Sequence, residues 1–521
     1  MNHFLKKTLA VVCGVSLFLG AFAGCTTQTP GGITEGRIIP VDGGVLKLCS
    51  VYPDTLNPLK TKSKQNYDML MLIYEGLFKK TPEHQIKPVL AEDYTVSDDG
   101  TSYRVALKSG IKFHDGTPFG ARDVVETLNN MDQYCPAYAP LFQNIKRYYP
   151  SGDTAVVFEL IQPEVNFAAR LTFPILPADT DTEVFKNDTT SFFPVGTGQY
   201  VYKEKLRQKT LTLTKNEGWH GGNLYISNIE VSFLKDNAAA RYAFNICETD
   251  MITSEVFRYG EFTFSTPHRI VEYTNDICVY LGVNQTNAAL ADPIVRQALS
   301  AAIDRGFIAN DILYGHCRAV QVPVNPDAYF YPENTAPVYD ANAARGLLGR
   351  GGWVDLDTDG VLDKPDKDAW ISLRFSLLFD SADKTAGAVA AYVAQTAANS
   401  GIQIEVEALS SSALQKRVAE GDYDIYLGKQ TLPASYDLSA WPGQMDKGLQ
   451  DAILKTAQCT EETAVMEGFL EVCELFLEQM PNIPLYFETN TLLYQDYLKG
   501  TVTPTVDWSY QGVENLFIEE Q

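Results

Sequence analysis

Few residues in this 521-residue sequence stand at spacings that could do chemistry. The clearest group is Asp355-Leu356-Asp357-Thr358-Asp359-Gly360, with Asp363 and Asp366 beyond it. Oxygen ligands at alternate positions and a glycine for the turn are what a Ca²⁺ loop needs, which makes Asp355, Asp357 and Asp359 the candidate metal ligands. The closing ligand would be Asp366, after Pro365, in place of a bidentate Glu, and no clear paired helix follows. A plain acidic turn is therefore the competing reading. The six histidines, at 3, 84, 114, 220, 268 and 316, show no i, i+4 pair of the kind that builds a helical metal site. No C-x-x-C occurs, so zinc and thioredoxin-like readings lack support. Cysteines 49, 135, 247, 278, 317, 459 and 473 read as buried, inert thiols. G-x-S-x-G, H-E-x-x-H, Walker and Rossmann motifs are missing too. The expectation from these residues is no catalytic residue and, the calcium reading aside, no cofactor.

The elements that would position a binding site need more than one core. A chain of 521 residues exceeds what a single hydrophobic core usually supports, so two or three lobes are expected. A 45% hydrophobic and 21% charged composition is that of an ordinary globular chain. The net charge of −23 argues against nucleic-acid partners, which need clustered Lys and Arg. Residues 1–24 read as a secretory signal, with Lys6-Lys7 ahead of a short apolar run from Leu9 to Ala23. Phe22-Ala23-Gly24-Cys25 resembles the bacterial lipobox, which implies that Cys25 becomes a lipid-carrying N-terminus outside the cell membrane. Residues 25–44, rich in Thr, Gly and Pro, read as a tether.

From Ile86 to Met131 the pattern is strand, turn, strand, turn, helix. Ser97-Asp98-Asp99-Gly100 is a turn, and Tyr103, Val105 and Leu107 alternate with polar or small residues as in a half-buried strand. Asp115-Gly116 is a second turn. Gly120 then precedes a helix whose apolar face carries Val124, Leu128 and Met131. The ordered set Pro88, Leu90-Ala91-Glu92, Ser97 to Gly100, Phe113-His114-Asp115-Gly116, Pro118 and Asp123-Val124 resembles the signature of family 5 extracellular solute-binding proteins, the oligopeptide-, dipeptide- and nickel-binding components of bacterial ABC importers. Tyr94 stands where that pattern has Trp. Further segments are similar to the family: Asp54-Thr55-Leu56-Asn57-Pro58, Tyr74-Glu75-Gly76-Leu77, Pro194 to Tyr200, Asn216-x-x-Trp219, Tyr280 to Asn284, Asp292 to Arg305, and Pro481 to Tyr486. His114 is most simply a turn residue.

The resemblance implies an α/β, two-lobed fold like the periplasmic binding proteins (type II, cluster C), with an extra subdomain in the first lobe and a hinged ligand cleft. Its divisions would be lobe I at 45–82, 191–282 and 479–521, the extra subdomain at 83–190, and lobe II at 283–478, with Val283-Asn284 marking the crossing. It also implies a monomeric, extracytoplasmic lipoprotein that delivers a solute, most often a peptide, to an ABC permease. A nickel chelate or other non-peptide solute is the alternative, and a secreted hydrolase lacks a nucleophile motif. In peptide-binding relatives a Trp, and then an Asp that pairs with the peptide amine, follow G-x-x-D; here that place is taken by Lys429 to Trp441. Gln430 or Thr431 occupies the Trp place and Pro433 or Ala434 the Asp place. The pocket candidates are accordingly Gln430, Tyr436, Asp437 and Trp441, with Lys429 a weaker one. Asp437 could serve from a shifted loop or only form a turn.

Overall fold

The computed structural model describes residues 40–187, 192–203, 210–254, 263–367 and 369–519. The expected signal, Cys25 and the tether up to residue 39 lie outside the described residues. In lobe I, β1 (Val45–Ser50) turns Leu46 and Leu48 inward and Lys47 outward. Helix α1 (Lys64–Leu70) follows, capped by Ser63, and then a short hairpin of β2 (Phe78–Lys80) and β3 (Ile86–Pro88). The extra subdomain is an antiparallel sheet in the order β4-β5-β7-β6, formed by β4 (Ala91–Val96), β5 (Ser102–Leu107), β6 (Ile145–Pro150) and β7 (Ala155–Leu160). Helix α2 (Ala121–Tyr134) carries buried Val124, Leu128 and Met131 in the same core as Val105 and Phe158 of that sheet. Asp123 Oδ2 reaches back to accept from Gly120 N at 2.8 Å, the half of a capping box that needs no side chain on Gly120.

The chain then returns through β8 (Tyr200–Tyr202), β9 (Thr210–Lys215) and β10 (Asn228–Phe233), which with β1 make a sheet in the order β1-β10-β9-β8. Helix α3 (Asn237–Asn245) and β11 (Met251–Thr253) complete this part.

Lobe II is built on β12 (His268–Val283), α4 (Pro293–Ala301), β13 (Cys317–Ala319), the hairpin β14 (Asp363–Asp366) and β15 (Ala369–Ser372), β16 (Arg374–Asp380), α5 (Ala386–Ala398), β17 (Gln403–Leu409), α6 (Ser411–Glu420), β18 (Ile425–Thr431), α7 (Lys447–Ala457), α8 (Glu462–Gln479) and β19 (Ile483–Gln495). Asp292 caps α4 by accepting from Ile294 N at 3.0 Å, and Pro293 fills the first helical position, as the sequence suggests. The main sheet runs β11-β19-β12-β18-β16-β17, with β13 on β19. β17 is its edge; Ile402 before it and Ile404 within it are buried, while Val406 farther along is exposed. Seven cysteines are free among the described residues, and burial pushes the thiols of Cys317 and Cys473 up to about 12.

This sheet spans both lobes, because β12 and β19 pair from His268↔Gln495 to Leu281↔Ile483 with a break in register between Thr274 and Cys278. Tyr273, Leu492 and Tyr494 belong to the lobe I core, whereas Cys278 and Phe487 belong to that of lobe II. The crossing therefore falls within 274–277 and 488–491, not at Val283-Asn284 or at residue 479. Val283 is 5% exposed and pairs with Ile425, well inside lobe II. Polar Thr274, Asn275, Asp276 and Thr489, Asn490, Thr491 occupy the crossing, where neither core holds the backbone.

The motif glycines allow two loops to touch. Gly198 N donates to Ile73 O and Tyr200 N to Leu72 O, both at 2.9 Å, and a Cβ on Gly196 would lie 2.1 Å from Ile73 O. His114 N donates to Gly196 O at 2.9 Å, which ties the turn of the opening stretch to the same junction. Since a backbone carbonyl cannot move aside, Gly196→Ala is expected to destabilise the protein by about 1–3 kcal/mol, read as a lower urea midpoint with an unchanged m-value.

Candidate functional site

A cavity of about 280 Å³ lies where the lobes meet, beside the crossing strands. Lobe I contributes Lys80, Glu83 and His84 from the β2–β3 hairpin and Glu272 from β12, the crossing contributes Thr274, and lobe II contributes Arg318 and Asp327. Lys80 is only 3% exposed; its Nζ lies 3.2 Å from Asp276 Oδ2 and 3.6 Å from Asp507 Oδ2. Burial alone would lower the Lys80 pKa, but the two carboxylates outweigh it and raise it. Asp276 is also joined to lobe II, since its carbonyl accepts from Leu432 N at 2.8 Å and Asn325 Nδ2 donates to Asn275 O at 3.1 Å. Asp327 accepts from Thr274 Oγ1, and Glu272 pairs with His316. Arg318 is exposed and makes no ion pair among the described residues.

His84 Nδ1 meets Tyr436 Oη at 2.5 Å across the seam. Burial, and then the Lys80 charge, push the His84 pKa down to about 3, so its ring is neutral at pH 7.

The pocket candidates part company here. Tyr436 is 3% exposed and faces His84 and Phe330. Trp441 is a core residue, not a cleft residue: its ring lies 5.3 Å from that of Tyr280, and its Nε1 donates to Asn482 Oδ1 at 2.9 Å. Asp437 accepts from Ser439 N and Oγ, at 2.8 and 2.5 Å, and forms a turn. Gln430, next to last in β18, is half-buried, with Nε2 donating to Thr431 O at 3.1 Å. Its neighbour Lys429 bridges Asp383 at 2.9 Å and Glu488 at 2.6 Å. Burial would raise Asp383, yet hydrogen bonds from Lys429 and Thr385 hold it down at about 2.

Lys80, His84, Arg318 and Asp327 are the residues that sequence reasoning missed. Their only local signals were a Lys-Lys pair and an Asn-Pro-Asp turn, neither of which reveals what they face.

The acidic turn gathers Asp355, Asp357 and Asp363, whose carboxylate oxygens lie within 4.8 Å of one another. Asp359, the third expected ligand, is instead paired with Arg374. Asp355 accepts from Thr358 N and Gly360 N at 2.7 and 3.0 Å, so the loop's own amides engage it. Another cavity, of about 180 Å³, sits in lobe I beside Glu75. The Glu75 carboxylate accepts from Trp219 Nε1, His220 Nε2 and Thr197 Oγ1, each at 2.9 Å, a network that joins three of the sequence motifs.

A family model described as bacterial extracellular solute-binding proteins, family 5 (Middle) matches residues 85–445. The chain belongs to this family. Among family relatives, the oligopeptide-binding protein AppA of Bacillus subtilis (strain 168) is 26% identical over 535 residues, covering 94% of this chain and 95% of AppA. The glutathione-binding protein GsiB of Escherichia coli (strain K12) is 26% identical over 511 residues, covering 88% and 92%. The solved structure of AppA with a nonapeptide aligns with a TM-score of 0.58 at 22% identity, and that of NikZ from Campylobacter jejuni with Ni(L-His) with 0.60 at 20%. Each covers 92% of this chain and 100% of the solved one. The α/β two-lobed fold is thus that of the family 5 solute-binding proteins.

The buried histidine gives a measurable pH dependence. Between the ordinary value of 6.5 and about 3, the unfolded chain binds a proton at His84 that the folded chain excludes. Its contribution to stability is therefore complete above pH 6.5 and is lost as pH falls toward 3. The difference in unfolding free energy between the parent and His84→Gln, followed by denaturant titration from pH 7 to pH 4, is expected to narrow or reverse, by an amount on the order of a few kcal/mol. A constant difference would show that His84 does not titrate as a buried neutral ring.

Proposed function

We propose that this chain is the substrate-binding component of an ABC importer, and that it captures a small zwitterionic solute, a peptide in the first instance, between its two lobes. The observation that carries the reading is the composition of the 280 Å³ interlobe cavity, which places cations and carboxylates from both lobes around one space. Arg318, with no ion pair of its own among the described residues, supplies a planar fork for a ligand carboxylate. Glu272 and Asp327 supply acceptors for an ammonium. Opposing walls desolvate a solute that either wall alone leaves wet, and ligand contact with both lobes favours the closed form over the open one. The names of AppA and GsiB, a peptide binder and a glutathione binder, support a peptide-like ligand. Turnover is no part of this reading, and neither is a resident cofactor, the acidic turn at Asp355 to Asp363 being assigned a structural role.

A second reading, a metal chelate, is favoured by the neutral His84 imidazole in the cavity wall and by the Ni(L-His) complex of NikZ. The protein acts in this proposal as a monomer outside the membrane, held there by lipid on Cys25 and docking on its permease.

Thermal-shift and calorimetric titration with di- and tripeptides test the ligand class. Arg318→Ala is expected to weaken binding at least tenfold, consistent with loss of a charged hydrogen bond of about 1.5–3 kcal/mol. Equal affinity in the variant would remove Arg318 from the site, and a nickel–histidine chelate that binds where peptides do not would select the second reading. In cell fractionation, Cys25→Ala is expected to move the protein from the membrane to the soluble fraction. A variant that stays with the membrane would exclude the lipid anchor.

A further inference from the structure

The interlobe seam is divided. Beside the 280 Å³ cavity lies a second one of about 120 Å³, between Gln85, Ile86 and Asn166 of lobe I and Tyr329, Glu462 and Val465 of lobe II. The turn from Thr81 to Gln85 stands between them, since its one side lines the first cavity and its last residue the second. Gln85 Nε2 donates to Glu462 Oε1 at 3.2 Å, and three further contacts hold the lobes together there. Tyr329 N donates to Glu83 O at 2.9 Å, His84 meets Tyr436, and Val165 N donates to Ala457 O at 2.5 Å, with the Val165 side chain buried in the lobe II core.

The backbone adds an independent observation. His84 has φ 62° and Tyr436 has φ 59°, so both partners of the cross-lobe contact sit in the left-handed region without being glycine. Asn166, next to Val165, has φ 51°. Left-handed non-glycine residues cost energy, and such strain persists where the surroundings impose it, often at ligand clamps. Of the eight such residues among the described ones, these three share a single seam.

We infer that the Glu83–His84 turn, seated on Tyr436, is a partition that closes one end of the ligand cavity and so limits the length of ligand the lobes can enclose. The inference rests on the proposed function, in which that cavity takes the solute. About 280 Å³ is at the small end of pockets that bury a ligand, roughly 300–1,000 Å³, and suits a short peptide or similarly small zwitterion. A longer chain could extend only into the 120 Å³ space, and the His84 ring stands in its way. His84 is then a specificity-determining residue, acting by exclusion.

The test uses the full soluble chain and synthetic peptides of two, three, five and nine residues, titrated by calorimetry. His84→Gly removes the ring and suits the left-handed backbone. It is expected to gain at least tenfold in affinity for the five-residue peptide relative to the tripeptide, while the nonapeptide, larger than the two cavities together, stays excluded. Tyr436→Phe keeps the wall and loses only the hydroxyl, and it is expected to retain the short-peptide profile. If His84→Gly loses its cooperative melt, His84→Asn, which tolerates the same backbone region, gives the same readout. Short-peptide binding with an unchanged length profile in the variant overturns the partition alone. So does a parent protein that encloses a nonapeptide as tightly as a tripeptide. Absence of binding at every length, in parent and variant, overturns both the partition and the peptide reading on which it stands.

Discussion

One ammonium group ties together the segments where the two lobes meet. Lys80 leaves β2 almost fully buried, and a charge taken out of water is tolerable only beside opposite charge. Its partners come from distant parts of the chain: Asp276 from the outgoing crossing strand and Asp507 from the returning C-terminal segment. Three passes of the chain are thereby pinned at one point. Losing one carboxylate would leave an uncompensated buried charge, a change worth on the order of 3–5 kcal/mol where such pairs have been broken. The hairpin turn that carries His84 hangs from the same strand, so the wall of the cavity and the meeting point of the lobes are set by one short element.

What could be read in the sequence divides along the distance over which a residue acts. The turn at Gly100, the Asp292-Pro293 cap and the helical stripe of Val124, Leu128 and Met131 depend on neighbours a few residues away, and the structure has each where the pattern indicates. The glycines of the Pro194–Tyr200 motif were legible as a turn, but their purpose, contact with the carbonyl of Ile73, was not. The pocket was least legible. His84 and Tyr436 are 352 positions apart, and nothing in the local pattern of either announces the other. Trp441 has the composition of a pocket residue, yet its indole N–H is engaged by Asn482, which makes it core. Asp437 went to its own backbone, the usual competitor for a short carboxylate side chain.

The motifs that identify the family turn out to be joints. Glu75, Gly196, Gly198, Trp219 and His114 come from four separate segments and meet in one hydrogen-bonded junction inside lobe I, away from the interlobe cavity. Their residue types are constrained by close backbone approach and by a carboxylate that satisfies three donors. The cavity residues answer to a ligand instead, and so they carry no pattern that a fold would impose.

The two cores also differ in how the chain supplies them. That of lobe II is almost wholly drawn from one continuous stretch, Cys278 to Phe487, with Val165 the only buried member from outside it among the described residues. The lobe I core joins Leu46 and its neighbours to Leu492, Leu498, Val502 and Leu516 near the other end of the chain. A core with such long sequence separation folds late, because its loop-closure entropy must be met before any contact repays it. Lobe II can therefore condense mostly from contacts within 278–487, while lobe I is complete only when the segment from Leu492 to Leu516 joins Leu46 and its neighbours.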